Sequence, residues 1–358
     1  MAKGVNDKVK LLAAGGIIGI IAVVLVYFGN PPNMGFCIAC FLRDIAGGVG
    51  LHQAEVVQYV RPEIIGIILG AFLISLGKKE FKVRGGSAPV LRFVLGFIVM
   101  VGALMFLGCP LRMVLRLAGG DLNAVLGLVG FAAGISAGVV FLNKGFSLKR
   151  THDLPILDGL VLPMGAVVLL AMLFVGASFL IFSQTGPGSM HAPVWIALAA
   201  GIVVGIIGQK TRLCMVGGIR DVALFKDWTL LMGFVGILIA ALIGNIFMGY
   251  FKLGFAEQPV AHIDGLWNFL GMSVVGWGAV LLGGCPLRQL VLAGEGNSDS
   301  SITVFGMIVG AAFCHNFKLA SSANGPTANG RIAVVVALIV LALIAVMNSN
   351  LVKKQTVQ

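Results

Sequence analysis

The chain has 358 residues, of which 58% are hydrophobic and only 11% charged, with a formal net charge of +11; its mean hydropathy is +1.02. Soluble domains carry about 25% charged residues, so this composition excludes an ordinary soluble enzyme and points to an all-α polytopic protein of a lipid bilayer. The excess of positive charge does not indicate nucleic acid, because no basic patch interleaved with aromatic residues accompanies it.

Met1 to Lys10 is a basic start before an apolar run over 11–28. Asn30-Pro31-Pro32 after it is a poor cleavage site, so the run reads as a retained first span. A membrane-spanning helix needs roughly 20 apolar residues. Further candidates lie at about 62–77, 90–107, 121–142, 159–182, 193–209, 229–250, 265–282, 301–317 and 332–351, ten in all. Four segments between them are too short or too polar to cross: 35–50, 109–119, 212–225 and 285–295. They read as re-entrant helices, since irregular backbone at membrane depth survives only against protein or a water-filled cavity. The 51 glycines suit close helix packing and broken helices.

The chain repeats itself. Cys37 precedes Arg43-Asp44 by six and seven residues, and Cys214 precedes Arg220-Asp221 by the same offsets. Gly108-Cys109-Pro110-Leu111-Arg112 recurs as Gly284-Cys285-Pro286-Leu287-Arg288, and each copy is followed by Leu-Ala-Gly. Cys37 to Cys109 is 72 residues and Cys214 to Cys285 is 71. The expected organisation is a first repeat over 10–142, a linker with one span over 143–192, a second repeat over 193–317, and a last span and tail over 318–358. One linking span makes the total between repeats odd, so the second should enter the membrane inverted, as in many transporters. Twelve of the 25 basic residues fall in the two termini and in the loops around 78–84 and 144–150, while the loop over 183–191 holds no Lys or Arg. By the positive-inside rule both termini are expected in the cytoplasm.

The chemistry concentrates at the duplicated motifs. Proline is favoured at the first helical position, which places Cys109 and Cys285 at N-caps, where free N–H groups and the helix dipole hold an anion. Arg112 and Arg288 add a positive charge one turn on, and Arg116 a second one in the first half only. The bland reading, a helix restart with a small buried cysteine, does not account for the duplication. Cys37 shares a helix face with Asp44, and Cys214 with Asp221. Arg43-Asp44 and Arg220-Asp221 read as structural locks or as parts of the path, because intramembrane charges are costly and usually paired. Cys40, one turn from Cys37, is a further pathway candidate without a repeat partner; Cys314 reads as packing. The polar run 293–300 reads as a solvated turn or as part of the second funnel. Cys37-x-x-Cys40 lacks a second ligand pair, so no metal is expected, and no Ser-His-Asp arrangement or phosphate-cradling loop points to a cofactor or a hydrolase.

Cys-x5-Arg-Asp and Gly-Cys-Pro-Leu-Arg, each present twice, resemble the YeeE/YedE sulfur-transport family over roughly 10–317. The second copy, continuing to Asn297, looks like the YedE branch associated with selenium metabolism. The resemblance implies an hourglass-shaped transporter of the bacterial inner membrane. It implies a small sulfur- or selenium-containing anion, thiosulfate-like, handed between cysteine thiols at positions 37, 109 and 285, with Cys214 as the repeat counterpart. It further implies a cytoplasmic sulfur- or selenium-carrier protein as partner. A thiol is a weak donor and soft acceptor, suited to sites that attract an ion without trapping it. The alternative is a membrane-embedded transferase that forms a cysteine persulfide or perselenide.

Overall fold

The structure, a computed structural model, describes residues 2–350. Lys353 and Lys354, assigned above to the cytoplasmic tail, lie outside the described residues. The order is α1 (Ala2–Tyr27), α2 (Ile38–Gly48), α3 (Pro62–Gly77), α4 (Pro89–Phe106), α5 (Pro110–Ala118) and α6 (Asn123–Asn143). Then come α7 (Ile156–Val175), α8 (Val194–Thr211), α9 (Met215–Phe225), α10 (Thr229–Phe247), α11 (Gly265–Leu282), α12 (Pro286–Gly294), α13 (Ser298–Asn316) and α14 (Ala328–Met347). The only sheet among the described residues pairs β1 (Arg84–Gly85) with β2 (His152–Asp153).

Nine helical stretches among the described residues are long and apolar enough to cross a membrane, so the fold is an all-α polytopic membrane protein. The tenth expected span is α13. It has 19 residues, but its first turn is Ser298-Asp299-Ser300-Ser301, all buried, which lowers its apolarity. The linking span begins and ends earlier than expected: Gly176, at φ 67°, caps α7 in the left-handed conformation and the chain leaves the helix there. The four short segments are helices of 9 to 11 residues, as their length and polarity suggest.

Four tight helix pairs build the body: α1 with α10, α3 with α8, α4 with α13, and α6 with α11. Every pair crosses the two halves of the chain. If α1, α3, α4 and α6 correspond to α8, α10, α11 and α13, exchanging the halves maps each pair onto another pair. That is the pattern of a pseudo-two-fold axis, and the central α4–α11 contact maps onto itself. Glycines permit the approach. A Cβ on Gly66 would press on the backbone of α8, and one on Gly201 or Gly205 on the backbone of α3. The short helices meet in the middle under the same exchange: α2 touches α12, and α5 touches α9.

Helices α1 and α10 run side by side in the same direction, with Gly15 against Gly233 and Gly19 against Ile237. The end of α14 lies against the turn after α6 through Asn350 N–H to the Lys144 carbonyl, at 3.0 Å. The face where α1 starts and α14 ends is called here the terminal face, and the opposite one the far face.

Candidate functional site

Each of the four motif cysteines occupies the N-cap of a short helix. Cys37 caps α2 and accepts from the Cys40 N–H at 3.3 Å; Cys214 caps α9 and accepts from the Gly217 N–H at 3.4 Å. Cys109 and Cys285 cap α5 and α12, each followed by proline at the first helical position. The thiols come together in two pairs. In the first, Cys109 Sγ accepts at 3.3 Å from the N–H of Ile38, the residue next to Cys37. In the second, Cys214 Sγ accepts from the Cys285 N–H at 3.5 Å. All are buried and none is in a disulfide. The sulfur atoms therefore sit where several helix N-termini converge, at the positive ends of their dipoles.

Cys40 joins the first pair. Its thiol donates to the Leu107 carbonyl at 3.7 Å and receives Arg112 Nη1 at 3.8 Å. In the second half Gly217 stands at the corresponding place, so the first pair is a cluster of three thiols. Cys314 is buried within α13, apart from both pairs.

The arginines after the two Gly-Cys-Pro motifs differ. Arg112 is fully buried and, besides the Cys40 sulfur, is held by backbone carbonyls. Nε donates to Asn33 O at 3.2 Å, Nη1 to Leu107 O, and Nη2 to both Pro259 O and Val260 O at 3.2 Å. No carboxylate within ion-pair distance neutralises it among the described residues. Arg116 is committed elsewhere: it pairs with Asp121 at 2.6 Å, donates to the Phe106 carbonyl at 2.7 Å and lies over the Phe106 ring. The second positive charge expected of Arg116 is thus paired with a carboxylate, whereas that of Arg112 is not. Arg288 pairs with Glu295 at 3.0 Å and faces a cavity of about 370 Å³. Lys79, Lys82, Arg84 and Arg212 line the same cavity with Glu80, so five cations meet two carboxylates there. An open basic cavity thus lies on the terminal face, lined by Arg288 three residues after Cys285.

The Arg-Asp motifs also diverge. Asp44 takes Arg43 on Oδ1 at 2.7 Å and Arg61 on Oδ2 at 2.8 Å, and all three are buried. Arg61 then donates to Met190 O at 3.0 Å and Pro187 O at 2.7 Å, tying the α7–α8 loop to the first half. Arg220 and Asp221 pair at 2.8 Å on a partly exposed surface, with no second arginine. Arg61 and Asp121 were not singled out from the sequence. Asp121, five residues after Arg116, offered a local cue; Arg61, seventeen residues from Asp44, offered none beyond its place before a proline-started span.

Two pairs of thiols at converging helix ends, inside a body of crossed helix pairs, define a multi-pass membrane protein with a sulfur-lined centre. The chain belongs to the sulphur transport family, whose model matches residues 2–110 and 210–357. Those two stretches contain all four N-cap cysteines. The thiosulfate transporter TsuA of Spirochaeta thermophila is 33% identical over 103 residues, 29% of this chain and 31% of that protein. TsuA of Escherichia coli (strain K12) is 30% identical over 126 residues, 34% of each chain. The matched stretches span about a third of the length of these curated relatives.

Proposed function

We propose that the protein carries a small sulfur-containing anion, with thiosulfate the first candidate and selenium analogues as competitors, across a bacterial inner membrane. In this reading residues 10–142 and 193–317 are the two halves of the transport unit, and the terminal face is cytoplasmic. The observation that carries it is the paired arrangement of helix N-caps, Cys37 with Cys109 and Cys214 with Cys285, each pair followed by the arginine of a Gly-Cys-Pro motif. A thiol offers one weak donor and a polarizable acceptor, so neighbouring thiols and helix N–H groups hold a soft anion loosely. Passage needs sites that attract and also release. Arg112 gathers the anion on the far face, the thiols pass it inward, and the basic vestibule around Arg288 draws it out. The family and its thiosulfate-transporting relatives support the substrate class.

Uptake of sulfur-labelled thiosulfate into proteoliposomes tests this. Each of Cys109→Ala and Cys285→Ala removes one contact to a charged ligand, so uptake is expected to fall about tenfold. Unchanged uptake in both variants removes the thiol path. Competition by selenium-bearing anions in the same assay ranks the chalcogens.

A further inference from the structure

We propose that residues 255–262 form a lid over the far mouth of the path, latched by Arg112, and that the transported anion opens it by displacing the lid carbonyls from that guanidinium. The proposal rests on the reading that an anion enters beside Arg112.

The lid emerges when the two mouths are compared. Asp121 and Asn297 lie at the same offset after their Gly-Cys-Pro cysteines, and each forms an isolated parallel bridge with the loop before the central helix: Asp121 with Gly254, Asn297 with Arg84. The bridge partner lies seven residues beyond the preceding helix in both cases, after Phe247 and after Gly77. Beyond the bridge the halves differ. Four residues separate Arg84 from α4, whereas ten separate Gly254 from α11. The six extra residues contain Pro259 and Val260, whose carbonyls occupy Arg112 Nη2. At the other mouth nothing comparable covers Arg288, which faces the open vestibule.

The segment is held by hydrogen bonds at its ends and by an exposed ion pair: Glu257 meets Lys252 at 2.7 Å and Asn268 Nδ2 donates to His262 O at 3.0 Å. Phe255 O accepts from Asn123 Nδ2 at 2.7 Å, Gln258 Nε2 bonds back to the Lys252 and Gly254 carbonyls, and the His262 ring contacts Met105 O at 2.8 Å. It also stores strain. Glu257 and Val260 sit at φ 53° and 50°, and the left-handed region is a true outlier for β-branched valine. In that conformation the Val260 carbonyl accepts from Arg112 Nη2. Arg112 carries a full charge that meets only neutral acceptors, and bonds between two ionised groups are shorter and stronger than those to a carbonyl. An anion reaching the guanidinium therefore displaces Pro259 O and Val260 O, and relief of the Val260 conformation favours the released segment. Ligand binding and opening are one equilibrium, because the anion gains Arg112 only in the state where the lid has left it.

A glutamate-specific protease acting on the full-length protein in detergent reads the lid. Glu257 is an exposed side chain at its crest, but cleavage needs the segment to extend away from the body, so the rate reports opening. Thiosulfate is expected to speed cleavage after Glu257 about tenfold. Arg112→Gln is expected to be cleaved fast with or without the anion. Asn123→Ala, which removes the Phe255 tie and the Nδ2 bond to Asp121 but leaves Arg112 on the lid carbonyls, raises the basal rate and keeps the response. Thermal unfolding and size-exclusion profiles identify any variant that has not folded, and Asn123→Ala then carries the comparison. Equal basal rates in wild type and a folded Arg112→Gln overturn the latch whatever the substrate is. Thiosulfate binding by calorimetry without any change in cleavage overturns anion-driven opening. If thiosulfate does not bind at all, the substrate reading fails, while the basal rate of Arg112→Gln still decides the latch.

Discussion

Buried charge decides most of what individual residues do here. Asp44 is fully buried and satisfies two guanidiniums at once, so Asp44→Asn leaves Arg43 and Arg61 facing each other in a low dielectric. Breaking a buried pair by removing one partner costs about 3–5 kcal/mol. Asp221 occupies the equivalent place in the second half, is partly exposed and serves one arginine; pairs of that kind contribute about 0–1 kcal/mol. Thermal unfolding in detergent should therefore show a large loss for Asp44→Asn and a small one for Asp221→Asn. Equal losses would mean that the far-face network is not a structural lock. The same contrast shows what the sequence could and could not reveal. Cys109 and Cys285 at N-caps were legible because the proline after each marks a helix start locally; Cys37 and Cys214, followed by Ile38 and Met215, carry no such mark, and their N-cap positions come from the fold. The second partner of Asp44 was not, since Arg61 reaches it from another element across a loop without periodicity. Arg116 looked like a free charge from its place one turn beyond Arg112, and only the fold puts Asp121 against it.

At the scale of helices, glycine sets how closely the halves approach. A methyl group on Gly205 would meet the backbone of Ile67 and Ala71 on α3, whereas one on Gly165 in α7 would meet nothing within 4 Å. Overpacking a tight contact costs about 1–3 kcal/mol, and a clash with backbone has no side chain to move aside. Gly205→Ala is thus expected to lower the melting temperature and the yield of monodisperse protein. Gly165→Ala should leave both unchanged or slightly raise them, since alanine is the better helix former. Comparable behaviour of the two variants would show that the α3–α8 crossing is looser than described. Nine spans, the helix at the place of the tenth, α13, and four short helices were readable from apolar runs and their interruptions. The pairing of those helices across the halves was not, because composition marks a membrane helix without naming its neighbour. The polar first turn of α13 shows the reverse limit: Asp299 is buried, takes Arg92 at 3.2 Å and accepts from the Ser87 N–H at 3.2 Å, so a span can begin with charge when another loop completes it.

For the molecule as a whole, the pseudo-two-fold arrangement and its violations together give a direction. Both mouths have the same cysteine pair and the same arginine after it, yet Arg112 is sealed under carbonyls while Arg288 faces an open basic cavity. The sequence already marks the halves as unequal through Arg116, Cys40 and the polar run 293–300; the structure adds six more residues before α11 than before α4 and the Arg288–Glu295 pair. The positions seven residues after the Gly-Cys-Pro cysteines expose that difference, for Arg116 is fully buried and Leu292 lines the vestibule. A single substitution can therefore test both sidedness and openness. Leu292→Cys should react with a membrane-impermeant maleimide in inside-out vesicles and stay unmodified in right-side-out ones, scored on the peptide carrying position 292. The native cysteines are all buried, and Cys314, which shares the tryptic peptide 289–318 with position 292, is told apart from it by fragmentation of that peptide. Modification only in right-side-out vesicles would place the terminal face outside, against the basic loops at 78–84 and 144–150. Protection in both would mean that the vestibule is closed in the membrane. An anion that occupies the vestibule beside Arg288 should slow the reaction in inside-out vesicles, because it fills the space a charged maleimide must enter and neutralises the field that attracts it. Slowing that grows with thiosulfate concentration would make the basic cavity part of the route.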